Sequence, residues 1–422
     1  MSASSAAGAP HFVIVAVGSR GDMYPFLALA RALQRRGHRI SFLAPTVHRD
    51  CVDQAQVPFH GLGSDADYFS IVNDPLLWHP RKGLQLLLRS LRFGAPDIDH
   101  FLATLGPQRC VLLAHPLVLP ALDLSRAARP QLRVVAVYLA PANLRTVHDP
   151  LSIGPMIVPR WVPLRARRWL WSRIDRWLVD PIVLPDLNQQ RRRLGLAPVS
   201  HFFEHLYRVA DLSLTLFPDW FGPAQPDWPT PLRQAWFPLY DPHRAAPFSP
   251  GLAAFLAAGD APLVFTPGTG NRHAAAYFRH ALRACLRLGR RAIFLTTFAD
   301  QLPAALPPTV LWQAYVPLAA LLPHAAALVH HGGIGTTAEA LRAGLPQLVV
   351  PLAYDQFDNG ARVRALGVGD VLPASRLNSA RLARALAALL AAAPLRQRCQ
   401  AMAQRMAAPA DEDGLCVALE RV

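Results

Sequence analysis

The sequence predicts an α/β protein of two facing, doubly wound, Rossmann-like domains, and three observations predict it. The β-branched apolar run Phe12–Val17 leads into a glycine-containing turn, Gly18-Ser19-Arg20-Gly21-Asp22, and then into a helical pattern. The same order recurs in the second half, where the run Ala325–Val329 leads into His330-His331-Gly332-Gly333-Ile334-Gly335, a helical pattern and a further apolar run, Gln347–Val350. A chain of 422 residues with 52% hydrophobic residues is long enough to bury two such cores.

Each element follows from local signals. Pro25 is placed to open the first helix, a favoured first-turn position, with Phe26, Leu29, Ala30 and Leu33 on one face and Gly37 ending it. Residues 39–43 read as the next strand. The passage Phe217–Tyr240 is extended and stiffened by proline. The first domain is therefore expected to span 1–241, a linker 242–258 that ends in a helix around Leu252–Ala257, and the second domain 259–422. The stretch from Arg396 is helix-like and is expected to cross back to the first domain. In the second half, Pro262–Thr266 starts the new sheet, and Pro267-Gly268-Thr269-Gly270 turns at its crevice end. A helix is predicted over about Thr337–Ala343, stopped by Gly344.

Composition narrows the function. The formal charge is +15, yet Lys82 is the single lysine, so the excess is arginine, suited to phosphate, carboxylate and anionic lipid. The basic residues are scattered and form no nucleic-acid module, so no nucleic-acid partner is expected. Five widely spaced cysteines show neither metal nor disulfide spacing. Gly18 and Gly21 lack the third glycine and the acidic residue of a dinucleotide fingerprint, which disfavours nicotinamide and flavin chemistry. No metal and no cofactor is expected. The start lacks a secretory pattern and no stretch is long enough to span a bilayer, so a cytoplasmic protein is expected.

The turn at 330–337 carries the most chemistry. Glycines allow close backbone approach, free N–H groups at a helix start attract anions, and the His331 ring and the hydroxyls of Thr336 and Thr337 add donors. Together they fit a diphosphate. In the first half, Asp22 reads from the residues alone as a helix N-terminal cap or a charge that favours the helix dipole.

The ordered set His331, Gly335, Thr336, Thr337, Glu339, Asp355 and Gln356 resembles the nucleotide-sugar motif of the family 1, UDP-glycosyltransferase-like enzymes. The resemblance implies a GT-B fold with a nucleotide-diphosphate sugar as co-substrate. It implies that His331, Gly333, Gly335, Thr336 and Thr337 meet the diphosphate together with Gly268 and Thr269, that Glu339 accepts from ribose, and that Asp355 and Gln356 hold the sugar. Tyr315 and Val316 fall where the family stacks the base; Tyr315 replaces its tryptophan and Leu318 a frequent glutamine, so base preference stays open. Gly18-Ser19-Arg20-Gly21-Asp22-x-x-Pro25 resembles the first loop of bacterial and sterol-type members, which implies Asp22 as the catalytic base of an inverting transfer.

Asn73-Asp74-Pro75-x-Leu77-Trp78, the Phe217–Tyr240 passage and Asp355-Gln356-Phe357-Asp358-Asn359 extend the likeness to the bacterial rhamnosyltransferases of rhamnolipid synthesis. That branch implies L-rhamnose from dTDP-rhamnose and a 3-(3-hydroxyalkanoyloxy)alkanoate acceptor, giving a mono-rhamnolipid. A UDP-glucose-type transfer to a sterol, macrolide, carotenoid or other lipid stays open, as does a non-catalytic nucleotide-sugar-binding subunit. The segment Arg160–Asp180 is rich in Trp and Arg, with Leu170, Ile174, Trp177 and Leu178 on one helical face. It reads either as a domain helix or as a surface for the hydrophobic acceptor or for peripheral contact with the inner face of the cytoplasmic membrane.

Overall fold

The computed structural model describes residues 10–79, 82–90, 95–106, 108–149, 152–153, 156–159, 161–244 and 246–422. Arg160, the first residue of the Trp/Arg segment, lies outside them. The chain forms two compact units. The first holds the described residues up to Leu77, those of Arg81–Tyr240, and Ala410–Val422; the second holds those of Trp78–Pro80 and Asp241–Pro409.

In chain order the strands are β1 His11–Val15, β2 Ile40–Pro45, β3 Phe59–Leu62, β4 Cys110–Ala114, β5 Arg133–Tyr138, β6 Ser152–Ile153, β7 Met156–Ile157, β8 Leu212–Thr215, β9 Leu232–Gln234, β10 Leu263–Thr266, β11 Ala292–Leu295, β12 Val310–Gln313, β13 Ala327–His330, β14 Gln347–Val349 and β15 Gly369–Val371. The first unit carries a parallel seven-stranded sheet in the order β3-β2-β1-β4-β5-β8-β9. The second carries a parallel six-stranded sheet, β12-β11-β10-β13-β14-β15. Strands β6 and β7 pair as a small hairpin.

Both sheets are doubly wound. From β1 the chain moves outward to β3 and returns to β4 on the other side of β1; from β10 it moves out to β12 and returns to β13. Each sheet thus has a switch point, β1/β4 in one and β10/β13 in the other, where loops diverge and leave room for a ligand. Central strands are buried on both faces: Phe12–Val15 and Leu328–Val329 are wholly inaccessible, as parallel sheets covered by helices require. Phe265, Phe278 and Phe294 pack with Leu382 and Leu386 on one face of the second sheet, and Val264, Ile293 and Leu328 with Leu252 on the other.

Four expectations need correction. The first helix runs Arg20–Arg35, so Pro25 lies inside it; Ser19 is its N-cap and Asp22 sits in its first turn. The later helix runs Ile334–Arg342 with Gly333 as N-cap, which brings Gly335 and Thr336 into its first turn. In both cases the strand ends in a tighter turn than the helical periodicity suggests, and the free N–H groups start earlier. The linker is shorter than 242–258: the helix expected around Leu252–Ala257 begins at Pro250 and buries Leu252 in the second unit's core. Trp177 does not share the inward face of Leu170 and Ile174. A π-turn over Asp175–Val179 inserts an extra residue per turn, rotating Trp177 to 72% exposure.

The C-terminal stretch divides. The helix Ala393–Met406 stays in the second unit, while Glu412–Glu420 belongs to the first. Glu420 pairs with Arg36 at 2.7 Å and His38 at 2.8 Å, and Glu412 pairs with Arg35. All five cysteines are buried free thiols.

Candidate active site

In the first unit, β1 ends at the switch point and the chain turns through Gly18 into the Arg20–Arg35 helix. Asp22 Oδ2 accepts from the Ser19 backbone N–H at 2.7 Å and from the Ser19 hydroxyl at 2.9 Å. Gly18 has φ +121°, and a Cβ there would stand 2.4 Å from Asp22 Oδ2, so only glycine lets the carboxylate lie against the turn. Burial raises the Asp22 pKa, and the Ser19 bonds oppose that rise without cancelling it. A carboxylate has about four lone-pair sites, so the two bonds at Oδ2 leave Oδ1 able to accept a proton. The geometry therefore serves both readings of Asp22, cap and base.

Two neighbours escaped the sequence reading. His48 follows β2, is buried, and its Nε2 meets the Gly18 carbonyl at 3.0 Å. Burial lowers its pKa, so the neutral ring donates to that carbonyl and holds the turn. Tyr68 packs edge-on against His48 at 5.4 Å, and burial together with the Asp22 charge pushes its hydroxyl up to about 12. The available signal was topological. Residues just past β2 must lie beside the end of β1, because the strands are parallel neighbours.

In the second unit the turns after β10 and β13 flank the other switch point. The His331 ring lies between Gly268 and Gly333: a Cβ on the first would fall 2.8 Å from the ring, and on the second 2.5 Å from its Nε2. His331 Nδ1 is buried with no partner among the described residues. Burial lowers the His331 pKa to about 4, so the ring is neutral at pH 7 and carries one N–H. The first intrahelical bond beyond the turn runs from Thr337 N–H to the Gly333 carbonyl at 2.9 Å, so the N–H groups of Gly333, Ile334, Gly335 and Thr336 precede the helical ladder.

The turn is held from beneath. His330 is wholly buried; its Nδ1 accepts from Gly332 N–H at 3.2 Å, which leaves Nε2 to donate to Gln347 Oε1 at 3.1 Å. Asn359, also wholly buried, donates to the Gly332 carbonyl at 2.9 Å and to Asp355 Oδ2 at 2.8 Å. Gln356 Oε1 accepts from Leu352 and Ala353 N–H groups at 2.8 and 3.1 Å, fixing the loop that carries Asp355. Within that loop Tyr354 adopts φ +57°, a costly conformation for a bulky residue and one concentrated at functional sites.

The structure thus gathers His331, Gly268, Gly333, Asp355 and Gln356 into one cluster. Gly335 and Thr336 stand half-buried at the helix start, and Thr269 is exposed on its turn. Thr337 departs from expectation: it is buried and its hydroxyl donates to the Gly333 carbonyl at 3.0 Å, so that donor is spent within the helix. Glu339 forms an ion pair with Arg342, and burial raises its pKa against that pairing. Val316 is a core residue and offers only its backbone, whereas Tyr315 is 38% exposed and donates to Asp241 Oδ2 at 3.0 Å.

Known proteins resemble this chain in family and in fold. Residues 12–104 match the model of glycosyltransferase family 28 N-terminal domains, and residues 292–419 match that of erythromycin biosynthesis protein CIII-like C-terminal domains. Glycosyltransferase GtfE of Amycolatopsis orientalis is 30% identical over 364 residues, covering 83% of each chain. The chain belongs to this glycosyltransferase family. O-mycaminosyltylonolide 6-deoxyallosyltransferase of Streptomyces fradiae is 28% identical across 96% of both chains. In fold, the glycosyltransferase resembles VinC in complex with dTDP (TM-score 0.66, 20% identity, 97% of this chain and 99% of that one). It also resembles the spinosyn rhamnosyltransferase SpnG (TM-score 0.64, 19% identity, 94% and 96%). The two parallel-sheet domains are therefore those of a GT-B enzyme, a hexosyltransferase that draws its sugar from a nucleotide sugar. The likeness to family 1 enzymes read from the sequence holds at the level of nucleotide-sugar glycosyltransferases; the matching models are the family 28 and CIII-like ones.

Proposed function

We propose that this glycosyltransferase moves a deoxyhexose, L-rhamnose in our reading, from its thymidine diphosphate to a hydroxyl of a hydrophobic acceptor, with inversion at the sugar carbon. The observation that carries the donor half is the His331 turn. A neutral ring with an unpartnered buried nitrogen sits beside four N–H groups at a helix start, an arrangement that rewards an incoming diphosphate. Gly268, Thr269, Gly333, Gly335 and Thr336 line the diphosphate, and Thr337 serves through its backbone. Glu339 takes the ribose hydroxyls, Tyr315 and the Val316 backbone the base, and Asp355 and Gln356 the sugar.

Asp22 supplies the base. Its carboxylate takes the acceptor hydroxyl proton as that oxygen bonds to the sugar C1 from the face opposite the nucleotide. The bond from C1 to the diphosphate oxygen breaks, and the departing negative charge is met by the His331 turn. A carboxylate whose pKa is raised by burial holds the proton better than an exposed one, which favours transfer.

A thymidine nucleotide agrees with the dTDP complex of VinC, and a deoxyhexose with the named activities of the Streptomyces fradiae relative and SpnG. The acceptor we favour is a 3-(3-hydroxyalkanoyloxy)alkanoate, with a mono-rhamnolipid as product. A macrolide-type acceptor is the second reading, favoured by the 96% coverage of the tylonolide-modifying relative. Calorimetric titration with dTDP-rhamnose and UDP-glucose tests the donor: preference for UDP-glucose would overturn the rhamnose assignment. Product formation with hydroxyalkanoate dimers against macrolide aglycones then separates the two acceptors.

A further inference from the structure

The helix Leu164–Ile174 and the π-turn that continues it have two unlike faces. The inner face is fastened to the first unit. Arg167 is 3% exposed and donates to the carbonyls of Val162 at 2.9 Å, Val147 at 3.0 Å and Pro159 at 3.2 Å. Trp171 Nε1 donates to the Thr146 carbonyl at 3.0 Å. Arg145 lies 4.1 Å over the Trp171 ring and 3.8 Å over Phe203, and it pairs with Asp175. With this many bonds the segment is a rigid platform, and its outward residues are held where they stand.

The outer face is what a domain helix would avoid. Arg165, Trp169, Arg173 and Trp177 follow one another at four-residue steps, each exposed, with Arg168 and Arg176 exposed alongside. Trp169 is 58% exposed and Trp177 72%; Trp161, on the loop that Arg167 ties down, is 82% exposed. Three tryptophans held in water on one segment are costly unless something covers them. The four arginines form no ion pair among the described residues, and the two nearby acids are used elsewhere. Asp175 is paired with Arg145, and Asp180 is buried, accepting from Phe202 N–H at 3.0 Å.

We propose that this face docks on an anionic lipid bilayer, lying in the plane of the headgroups. The chemistry selects that occupant. An indole is apolar with one polar edge and settles at the depth of the headgroups, and three of them standing beside an acid-free row of arginines match the layered chemistry of an anionic bilayer surface. Arginine meets lipid phosphates bidentately, and a cluster with no acid among it is complementary to an anionic surface. The Arg173 guanidinium, 5.3 Å from the Trp169 ring centroid, shows charge and ring able to occupy the same depth. This inference is independent of which sugar or acceptor the enzyme uses.

The test is co-sedimentation of the full chain with vesicles of pure phosphatidylglycerol and of pure phosphatidylcholine, at 0.1 M and 1 M salt. Binding to phosphatidylglycerol at low salt is expected, with little to phosphatidylcholine and a marked drop at 1 M. R165Q/R168Q/R173Q/R176Q and W161S/W169S/W177S should each lower the partition coefficient at least about tenfold. Free glycerol phosphate at millimolar concentration should not compete; full competition would mean a phosphate site and overturn the bilayer assignment. If a combined variant shifts the thermal midpoint, single R165Q and W169S replace it, each expected to weaken binding about two- to fivefold. No sedimentation of the wild type with phosphatidylglycerol, or equal sedimentation of wild type and variants, would overturn the proposal.

Discussion

The turns at Gly18–Asp22 and His331–Thr336 both stand at a switch point, one after β1 and the other after β13, and are filled in opposite ways. Each ends a central strand at a switch point and opens a helix, with glycine at the second helical position: Gly21 in one, Gly335 in the other. At the N-cap the first has Ser19 and the second Gly333; at the third helical position the first has Asp22 and the second Thr336. The first turn thereby fills its own positive helix end with a carboxylate. The second leaves that end open and places a neutral imidazole beside it. In the function proposed above, one turn presents an anionic base and the other a seat for an anion, and the choice rests on two side chains.

The largest test removes the charge that distinguishes the first turn. Asp22→Asn should lower kcat by about 10²–10⁴-fold while leaving the calorimetric donor affinity unchanged. Equal loss of donor affinity would show that the turns do not divide the work. Next, Thr336→Asp copies the first turn's acid into the second. A self-capped helix start should repel the diphosphate, weakening dTDP binding by about ten- to a hundredfold at low salt, while the helix gains roughly 0.3–1 kcal/mol. Unchanged dTDP binding would mean that the helix start does not hold the diphosphate. His331→Ala removes only the ring and should weaken dTDP roughly tenfold, the loss of one hydrogen bond to a charged group.

The smallest effect is a contrast in pH dependence. Asp22 has a raised pKa in the folded state, so its contribution to stability is greatest below the ordinary carboxylate value and declines as pH rises. His331 and His330 are lowered to about 4 and about 3, so their contribution is complete above ~6.5 and declines as pH falls through that value. Hydrogen exchange of peptides covering 11–24 and 327–341, corrected for intrinsic rates, should therefore show opposite trends between pH 8 and pH 4. Parallel trends would mean that the two turns are not electrostatically distinct.

Much of this could be read from residues close in sequence. The apolar runs at Phe12 and Ala325, the glycine turns after them and the acids beyond are local signals, and they located both turns. Helix starts were misjudged because Pro25 and Thr337 are plausible first-turn residues; the capping by Ser19 and the close packing around Gly333 decided otherwise. Thr337 read as a donor, and its burial turned that donor inward. The supporting roles were not legible. His48, His330 and Asn359 bond to Gly18, Gly332 and Gln347, partners 2 to 30 positions away, and nothing in their immediate neighbours marks them.

The sequence by itself determined where β1, β2, β10, β13 and β14 run, which turns are glycine-rich and which reactive residues they carry, because periodicity and turn chemistry act over a few residues. Only the tertiary structure decided that His331 would lie between Gly268 and Gly333 with a nitrogen left unpaired among the described residues. It also decided that Trp177 would face outward. The first needs β10 and β13, more than 60 residues apart in the chain, to pair in register, with Thr266 beside His330. The second needs a π-turn that local propensity does not call for and that the pairing of Arg145 with Asp175 accompanies. Long-range pairing fixes the environment of a side chain, and environment decides what a histidine is free to bind.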